Sequence, residues 1–438
     1  MNDEAAFAPG FKTTPYWWEA APPPAPAPAT LPDRAEVVVI GGGLCGLACA
    51  LELGRAGVPA LVLDREAIGW GASSRNGGAL SGAGSLGRAK SDVSKGIDPQ
   101  LLAEMVEEAE ASFDALDALI AREGIECSWR RCGRFVGAHT EAAMATLAKR
   151  ADLLNASEPG SAELLPRDRL AEELGTTRYH GGLRISRAGS LHPARYTQGL
   201  AAAAQRAGAA TIGGVAVQSI ARDGAGFVVR TSAGAVKAQH VMVATNGYTG
   251  RATPWQRRRV IPVASYMIAT EEIGADRVSA LLPKLRVYGD TKKILYYFRP
   301  SPDGARILFG GRATLSDTDP RIGARWLHRQ LLNLFPQLDG VRITHGWKGN
   351  VAFAFDMLPH VGAHDGVHFA LGCNGSGVTT MTHLGTVAAR MMLGGDNRTS
   401  AFARMPVPTV PGYTGVPWFM PIVTGLYRMK DRRDGWAV

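Results

Sequence analysis

Long apolar runs are missing from this chain of 438 residues: nowhere do about 18 consecutive apolar residues occur, the length a helix needs to cross a bilayer. Near the N-terminus, Asp3 and Glu4 stand where a secretory signal would carry basic residues ahead of an apolar stretch. The expectation is a cytoplasmic protein with no membrane span. Cysteine is scarce. The five present, Cys45, Cys49, Cys127, Cys132 and Cys373, are odd in number and scattered, which argues against a disulfide framework. No second close pair of cysteines accompanies Cys127 and Cys132, so no metal site is expected. Charged residues make up only 20% of the chain against 46% hydrophobic, a balance that excludes general disorder. The 53 glycines and 26 prolines follow no triplet repeat, which excludes a collagen-like chain.

What is present fits two domains, or one α/β body with a large insertion. The net charge of +9 suits nucleic acid, a membrane surface or anionic small ligands equally well. Much of it is local: Arg257, Arg258 and Arg259 form one cluster and Arg428, Lys430, Arg432 and Arg433 another, both read as solvated faces. Residues 21–29, APPPAPAPA, predict a stiff polyproline leader running over the surface, with the fold beginning after it. VVVI at 37–40 reads as a fully buried parallel strand, residues 44–56 as a helix and ALVLD at 60–64 as a second strand, which together make a βαβ unit. The stretch 101–122 has apolar residues at helical spacing, is followed by the strand-like RFVG at 134–137, and is expected outside that unit. Strand signals return at 227–231, 240–245, 261–270, 293–299 and 305–311, several of them alternating as a one-sided antiparallel sheet would, and a second domain built round such a sheet is expected. A final strand, VHFALG at 367–372, runs through NGSG into a helix from about Val378 to Leu393.

The strongest chemical signal is VVVIGGGLCGL. Gly41, Gly43 and Gly46 form G-x-G-x-x-G between a strand and a helix: the first permits the tight turn, the second lets a phosphate approach the backbone, and the third permits close helix packing. The exposed N–H groups of that helix suit a pyrophosphate. Asp64, at the end of the second strand, is placed to accept hydrogen bonds from ribose hydroxyls and disfavours a 2′-phosphate. After it, GWGASSRNGGALSG (69–82) offers small residues, hydroxyls and Arg75 along which a long cofactor can run. That points to FAD rather than NAD.

With PYWWEA (15–20), AGSLHPARYTQGLA (188–201), VMVATNGYTG (241–250), YYFRPSPDGARILFGGRA (296–313), GWKGNVAFAFDMLPHVG (346–362) and ALGCNGSGVTTMTHLG (370–385), the chain resembles the D-amino-acid oxidase superfamily of flavoproteins over about residues 15–430, nearest its glycine/sarcosine oxidase and γ-glutamylputrescine oxidoreductase branch. The resemblance implies an α/β fold: a Rossmann-like FAD-binding domain of glutathione-reductase type, with a substrate domain on a mixed, largely antiparallel sheet. The expected division is a Pro-rich leader 1–34, FAD-binding segments 35–95, 181–255 and 343–400, substrate segments 96–180 and 256–342, and an extension 401–438. It implies pyrophosphate contacts from Gly41, Gly43, Leu44 and Cys45, and adenosine ribose contacts from Asp64 and Arg65. Ala72, Ser73, Ser74, Arg75, Asn76 and Gly77 would run beside the phosphates and ring system. Val217 would meet adenine, and Thr245 and Asn246 would form a second FAD turn. Gly375, Ser376, Gly377 and Val378 would aim N–H groups at the flavin N1/O2 edge, where a helix N-terminus stabilises accumulating negative charge.

The family reaction so implied takes hydride from the α-carbon of a neutral amine to flavin N5, hydrolyses the resulting imine, and returns the electrons to O2 as H2O2 or to another acceptor. The expected partners are therefore a small amine or amino acid and that acceptor, with no nucleic acid; the sequence leaves oligomeric state open. Relatives hold a carboxylate with an arginine where this chain reads HGWKGNVAFAFDMLP (345–359), with Lys348 and Asn350. Sarcosine-oxidase relatives attach flavin to a cysteine in that stretch, where none occurs here, so noncovalent FAD is implied. Their oxygen-activating lysine aligns with Leu308. Tyr266, Tyr297, Arg299, Trp347, Lys348 and Asn374 are the candidate substrate pocket, apolar walls with convergent donors; the catalytic residue among them is left open. His192 reads as a residue that orders a loop, and His345 clusters with Trp347 and Lys348. Two other readings stay open: a flavin oxidase acting on a modified RNA base, and a noncatalytic FAD-binding subunit.

Overall fold

The computed structural model describes residues 5–83, 97–312, 318–395 and 400–436. The VVVI run forms the inner part of the strand Arg34–Ile40, where Val37, Val38 and Val39 are at most 1% exposed. A strand buried on both faces needs neighbours on both edges, and this one has them: Ala60–Leu63 pairs with it in parallel on one side and Gly234–Val243 on the other. Ala210–Ile212 and Val367–Leu371 extend the parallel order at its two ends. A meander of Val217–Asp223 and Gly226–Thr231 is built onto the first half of Gly234–Val243, and His360–His364 pairs with Val367–Leu371, completing an eight-stranded sheet. Helices Leu44–Arg55 and Gly377–Met392 share one core on its face.

The second sheet has nine strands, in the order Phe7–Lys12, Ile343–Phe353, Ile261–Thr270, Ile307–Gly311, Tyr296–Pro300, Val287–Asp290, Arg134–Gly137, Gly181–Ile185 and Ala162–Pro166. Its central pairs are antiparallel, while Phe7–Lys12 and the Val287–Asp290/Arg134–Gly137 pair run parallel. Period-two alternation divides its faces. Tyr266 and Ile268 pack with the helix Pro320–Leu334, whereas Met267 and Ala269 pack with Leu308, Trp347 and Trp17 on the other side.

Three expectations need correction. The first 34 residues are not only a leader: Phe7–Lys12 is an edge strand paired with Ile343–Phe353, and Trp17, in the 3-10 turn Tyr16–Glu19, is fully buried. The Pro/Ala run does lie without regular structure along the helix Pro193–Arg206, with Gln198 donating to the Pro22 carbonyl at 2.6 Å. The helix Pro99–Glu123, capped by Asp98 and ended by left-handed Gly124, shares its core with Leu44–Arg55 and Gly377–Met392 instead of standing apart from them. Finally, Gly181–Ile185 and Ile343–Phe353 pair within the nine-stranded sheet, so the boundaries at 180/181 and 342/343 do not coincide with sheet boundaries. Hairpin pairing with Ala162–Pro166 decides the first and a long ladder with Ile261–Thr270 the second. The boundary at 95/96 lies outside the described residues. Among those described, no helix is long and apolar enough to cross a membrane.

Candidate active site

Between the two sheets lies a cavity of about 960 Å³. At one end the chain leaves Arg34–Ile40 through Gly41, whose φ of +109° is open to glycine and whose absent Cβ would sit 2.8 Å from the Ala244 carbonyl. At Gly46 a Cβ would fall 2.0 Å from the Gly41 carbonyl, so the helix rests directly on the turn and Gly46 does not line the cavity. Gly43, Leu44 and Cys45 do, and the Leu44 amide donates to Ser73 Oγ at 3.0 Å. Asp64 lines the cavity and also ties the turn, its two oxygens accepting from the Gly42 and Glu66 amides at 2.8 and 2.9 Å. Burial raises its pKa, against those donors. Arg65, Val217, Thr245 and Asn246 line the same region; Asn246, at φ +41°, accepts from the Gly372 amide at 3.1 Å.

Ala72, Ser73, Arg75, Asn76 and Gly77 run along the middle of the cavity. This stretch is fastened by indoles. Trp17 donates to the Asn76 carbonyl at 2.8 Å, Trp18 to Ser74 Oγ at 2.9 Å and Trp347 to the Arg75 carbonyl at 2.7 Å. Ser74 is therefore buried in that clamp and does not line the cavity. Arg75 lies 4.0 Å over the Trp70 ring and donates to the Trp70 and Lys348 carbonyls. Burial lowers its pKa.

Gly375, Ser376, Gly377 and Val378 line the cavity where the last helix begins. Neither this helix nor Leu44–Arg55 has a hydrogen bond from its own N-cap side chain, so two helix N-termini open onto one cavity. Donors of that kind, a glycine turn and an acid at the second strand end fit an elongated dinucleotide such as FAD.

The expected substrate pocket divides. Tyr297 and Asn374 line the cavity; Tyr266, Arg299, Trp347 and Lys348 do not. Tyr266 and Lys348 are register partners on neighbouring strands and point to the far face, where both reach Thr318. The residues beside Tyr266, Ser265 and Met267, face the cavity instead. Ser265 Oγ and the Tyr297 hydroxyl are 2.9 Å apart, and burial pushes the Tyr297 phenol up to about 12. Arg299 is a buried strut: its guanidinium donates to the carbonyls of Gly78, Leu191 and Pro300, and burial lowers its pKa to about 10. His192 caps the helix Pro193–Arg206 by accepting from the Arg195 amide at 3.2 Å. His345 faces Glu19 at 3.2 Å, and Leu308 is fully buried beside Trp17. Sequence reasoning passed over Arg134, Lys292, Arg312, Tyr427 and Phe353, all of which line the cavity. Arg312 sits inside the motif 296–313, but nothing in the sequence separates it from Arg299.

Among the described residues, one cluster of metal-ligand type, His139, Asp431 and Asp434, lies outside the cavity. Asp431 accepts from the Lys293 and Ile294 amides at 3.0 and 2.7 Å and so fastens the helix Met420–Arg433 to the sheet.

Residues 36–391 match the DAO family, described as FAD dependent oxidoreductase. The chain is 34% identical over 403 residues to gamma-glutamylputrescine oxidoreductase of Escherichia coli K12, covering 91% of this chain and 93% of that protein. The crystal structure of glycine oxidase from Geobacillus kaustophilus superposes with a TM-score of 0.73 at 21% identity, covering 87% of this chain and 99% of the other. That of L-proline dehydrogenase from P. horikoshii gives 0.69 at 19% identity, covering 91% and 99%. These last two likenesses are of fold.

Proposed function

The chain belongs to the DAO family of FAD-dependent oxidoreductases, and from that premise we propose that it oxidises the C–N bond of a small primary or secondary amine or amino acid. FAD, when bound, supplies the two-electron acceptor for hydride from the carbon bearing nitrogen, and water then releases a carbonyl compound and ammonia or an amine. The chain's own residues bind and orient. Gly43 and Cys45 at one helix start, and Gly375, Gly377 and Val378 at the other, present backbone N–H groups to negative charge, while the Leu44 and Ser376 amides are taken by Ser73 Oγ and the Cys373 carbonyl. Asp64 and Val217 hold the adenosine end. Ser265, Met267 and Tyr297 form the wall on the sheet side, with Tyr297 a neutral phenol that donates or accepts a hydrogen bond at working pH.

The observation that carries this reading is the continuous cavity joining the glycine turn to the sheet wall, onto which the starts of the helices Leu44–Arg55 and Gly377–Met392 both open. We further infer noncovalent FAD, a cytoplasmic location, and a division into FAD-binding and substrate units in which the strands Gly181–Ile185 and Ile343–Phe353 go with the substrate unit. Acid precipitation tests the attachment: free FAD should stay in the supernatant, and flavin in the pellet would contradict it. For the reaction, the test is an anaerobic screen of amines for flavin bleaching. Recovery in air with peroxide marks an oxidase, and bleaching without recovery a dehydrogenase.

A further inference from the structure

One stretch of surface is left apolar by the fold. Among the described residues, most of the large hydrophobic side chains that stay exposed lie between 410 and 429: Val410, Val416, Trp418, Ile422, Leu426 and Met429. The last four are between 50% and 69% exposed. Ile422, Leu426 and Met429 stand at i, i+4 and i+7 of the helix Met420–Arg433 and so share one face, with Trp418 in the turn just before it. The opposite face is anchored: Thr424 and Asp431 are buried, Tyr427 lines the cavity, and Asp431 accepts from the Lys293 and Ile294 amides. The outward face is therefore fixed by the fold, and it is edged by cations. By helical rotation Arg433 continues the apolar stripe while Lys430 and Arg432 flank it on either side, and all three are exposed. The acids of this helix end face inward: besides Asp431, Asp434 Oδ2 lies 3.3 Å from His139 Nε2. At the other end Arg257 lies against Gly415, where any side chain would strike it, and Arg258 is exposed. The two basic clusters seen in the sequence thus border one apolar stretch at its two ends.

We propose that this face docks the protein on an anionic lipid bilayer. The helix would lie flat in the headgroup layer, with Trp418, Ile422, Leu426 and Met429 entering the acyl boundary and Lys430, Arg432 and Arg433 meeting lipid phosphates. A second copy of the chain fits less well: paired parallel or antiparallel, two such faces set basic end against basic end. An acidic protein would meet the cations, but its polar side chains would leave four bulky apolar groups uncompensated. Because Tyr427 on the same helix walls the cavity, docking holds that wall close to the bilayer surface. The proposal stands independently of the reaction assigned to the cavity.

The test floats the purified 438-residue chain on density gradients with two kinds of vesicle, pure phosphatidylcholine and equal parts phosphatidylcholine and phosphatidylglycerol. Binding to the anionic vesicles should be at least about tenfold tighter than to the neutral ones, and should weaken as salt rises. Leu426→Asp should lower the affinity by roughly tenfold or more, and Lys430→Gln combined with Arg433→Gln by a similar factor. These side chains are exposed, so flavin content and thermal midpoint should match the unmodified chain in each variant. Brominated acyl chains should quench tryptophan fluorescence on binding, and Trp418→Phe should remove most of that quenching. Failure to float with anionic vesicles overturns the proposal, as does flotation that Leu426→Asp leaves unchanged. A dimer in analytical ultracentrifugation that Leu426→Asp dissociates, without flotation, overturns it in favour of a second copy. Tight binding of polyglutamate that Leu426→Asp abolishes, again without flotation, overturns it in favour of an acidic protein.

Discussion

Replacing Trp17 tests whether the first residues belong to the fold. Its indole is fully buried among Ala194, Met267, Ala269, Leu308 and Trp347, with its N–H on the Asn76 carbonyl at 2.8 Å. Trp17→Ala removes the whole ring and leaves a cavity, a change worth about 3–5 kcal/mol. Trp17→Phe keeps most of the apolar area but leaves the Asn76 carbonyl without its donor, about 1–2 kcal/mol. The order Ala much worse than Phe should appear in reversible urea unfolding. Because Asn76 lines the cavity, flavin affinity should fall in the same order. A leader merely lying on the surface would make both substitutions nearly neutral, within about 0.5 kcal/mol. That result for Trp17→Ala would refute the reasoning.

Gly41→Ala forces a side chain into φ +109° and against the Ala244 carbonyl, at about 1–3 kcal/mol; it should leave far-UV circular dichroism native while lowering FAD content on purification, and full occupancy would count against the turn's role. Arg299→Met should cost about 1–3 kcal/mol of stability by stripping donors from the Gly78 and Leu191 carbonyls, with KM for the amine unchanged; a raised KM at native stability would return Arg299 to the substrate. Burial lowers His192 to about 4, so the folded state stays neutral where the unfolded chain already binds a proton. Its contribution is whole above about pH 6.5 and lost as pH falls towards about 4, on the order of 3 kcal/mol across that window. His192→Asn, which keeps an acceptor for the Arg195 amide, should flatten the acid limb of the stability profile; an unchanged slope contradicts the assignment.

What the sequence made legible follows local rules. The strand, glycine turn and helix from Arg34 to Arg55 obey spacing constraints that hold within about twenty residues, and the acid at Asp64 is fixed by the end of the next strand. The last strand and helix are legible for the same reason. Side-chain direction on the nine-stranded sheet was harder. Choosing Tyr266 as pocket-facing put the wrong alternate set inward, because a strand buried on both faces offers aromatic and apolar residues to each side. Nor does local sequence distinguish arginines. Arg75 and Arg299 are satisfied by carbonyls brought from distant segments, whereas Arg134 and Arg312 are not, and only tertiary structure separates these cases. Trp17 and Trp18 were visible as a motif, but their task of clamping residues 74–76 depends on a contact across the fold.

A cavity that holds FAD within reach of an amine is the claim on which the other functional statements depend. Its most direct measurement is anaerobic mixing of the purified protein, carrying one FAD per chain, with a panel of amines, followed at the flavin absorption band. At least one amine should bleach the band and yield the matching carbonyl compound. A protein whose FAD is reduced by dithionite but by no amine would contradict it.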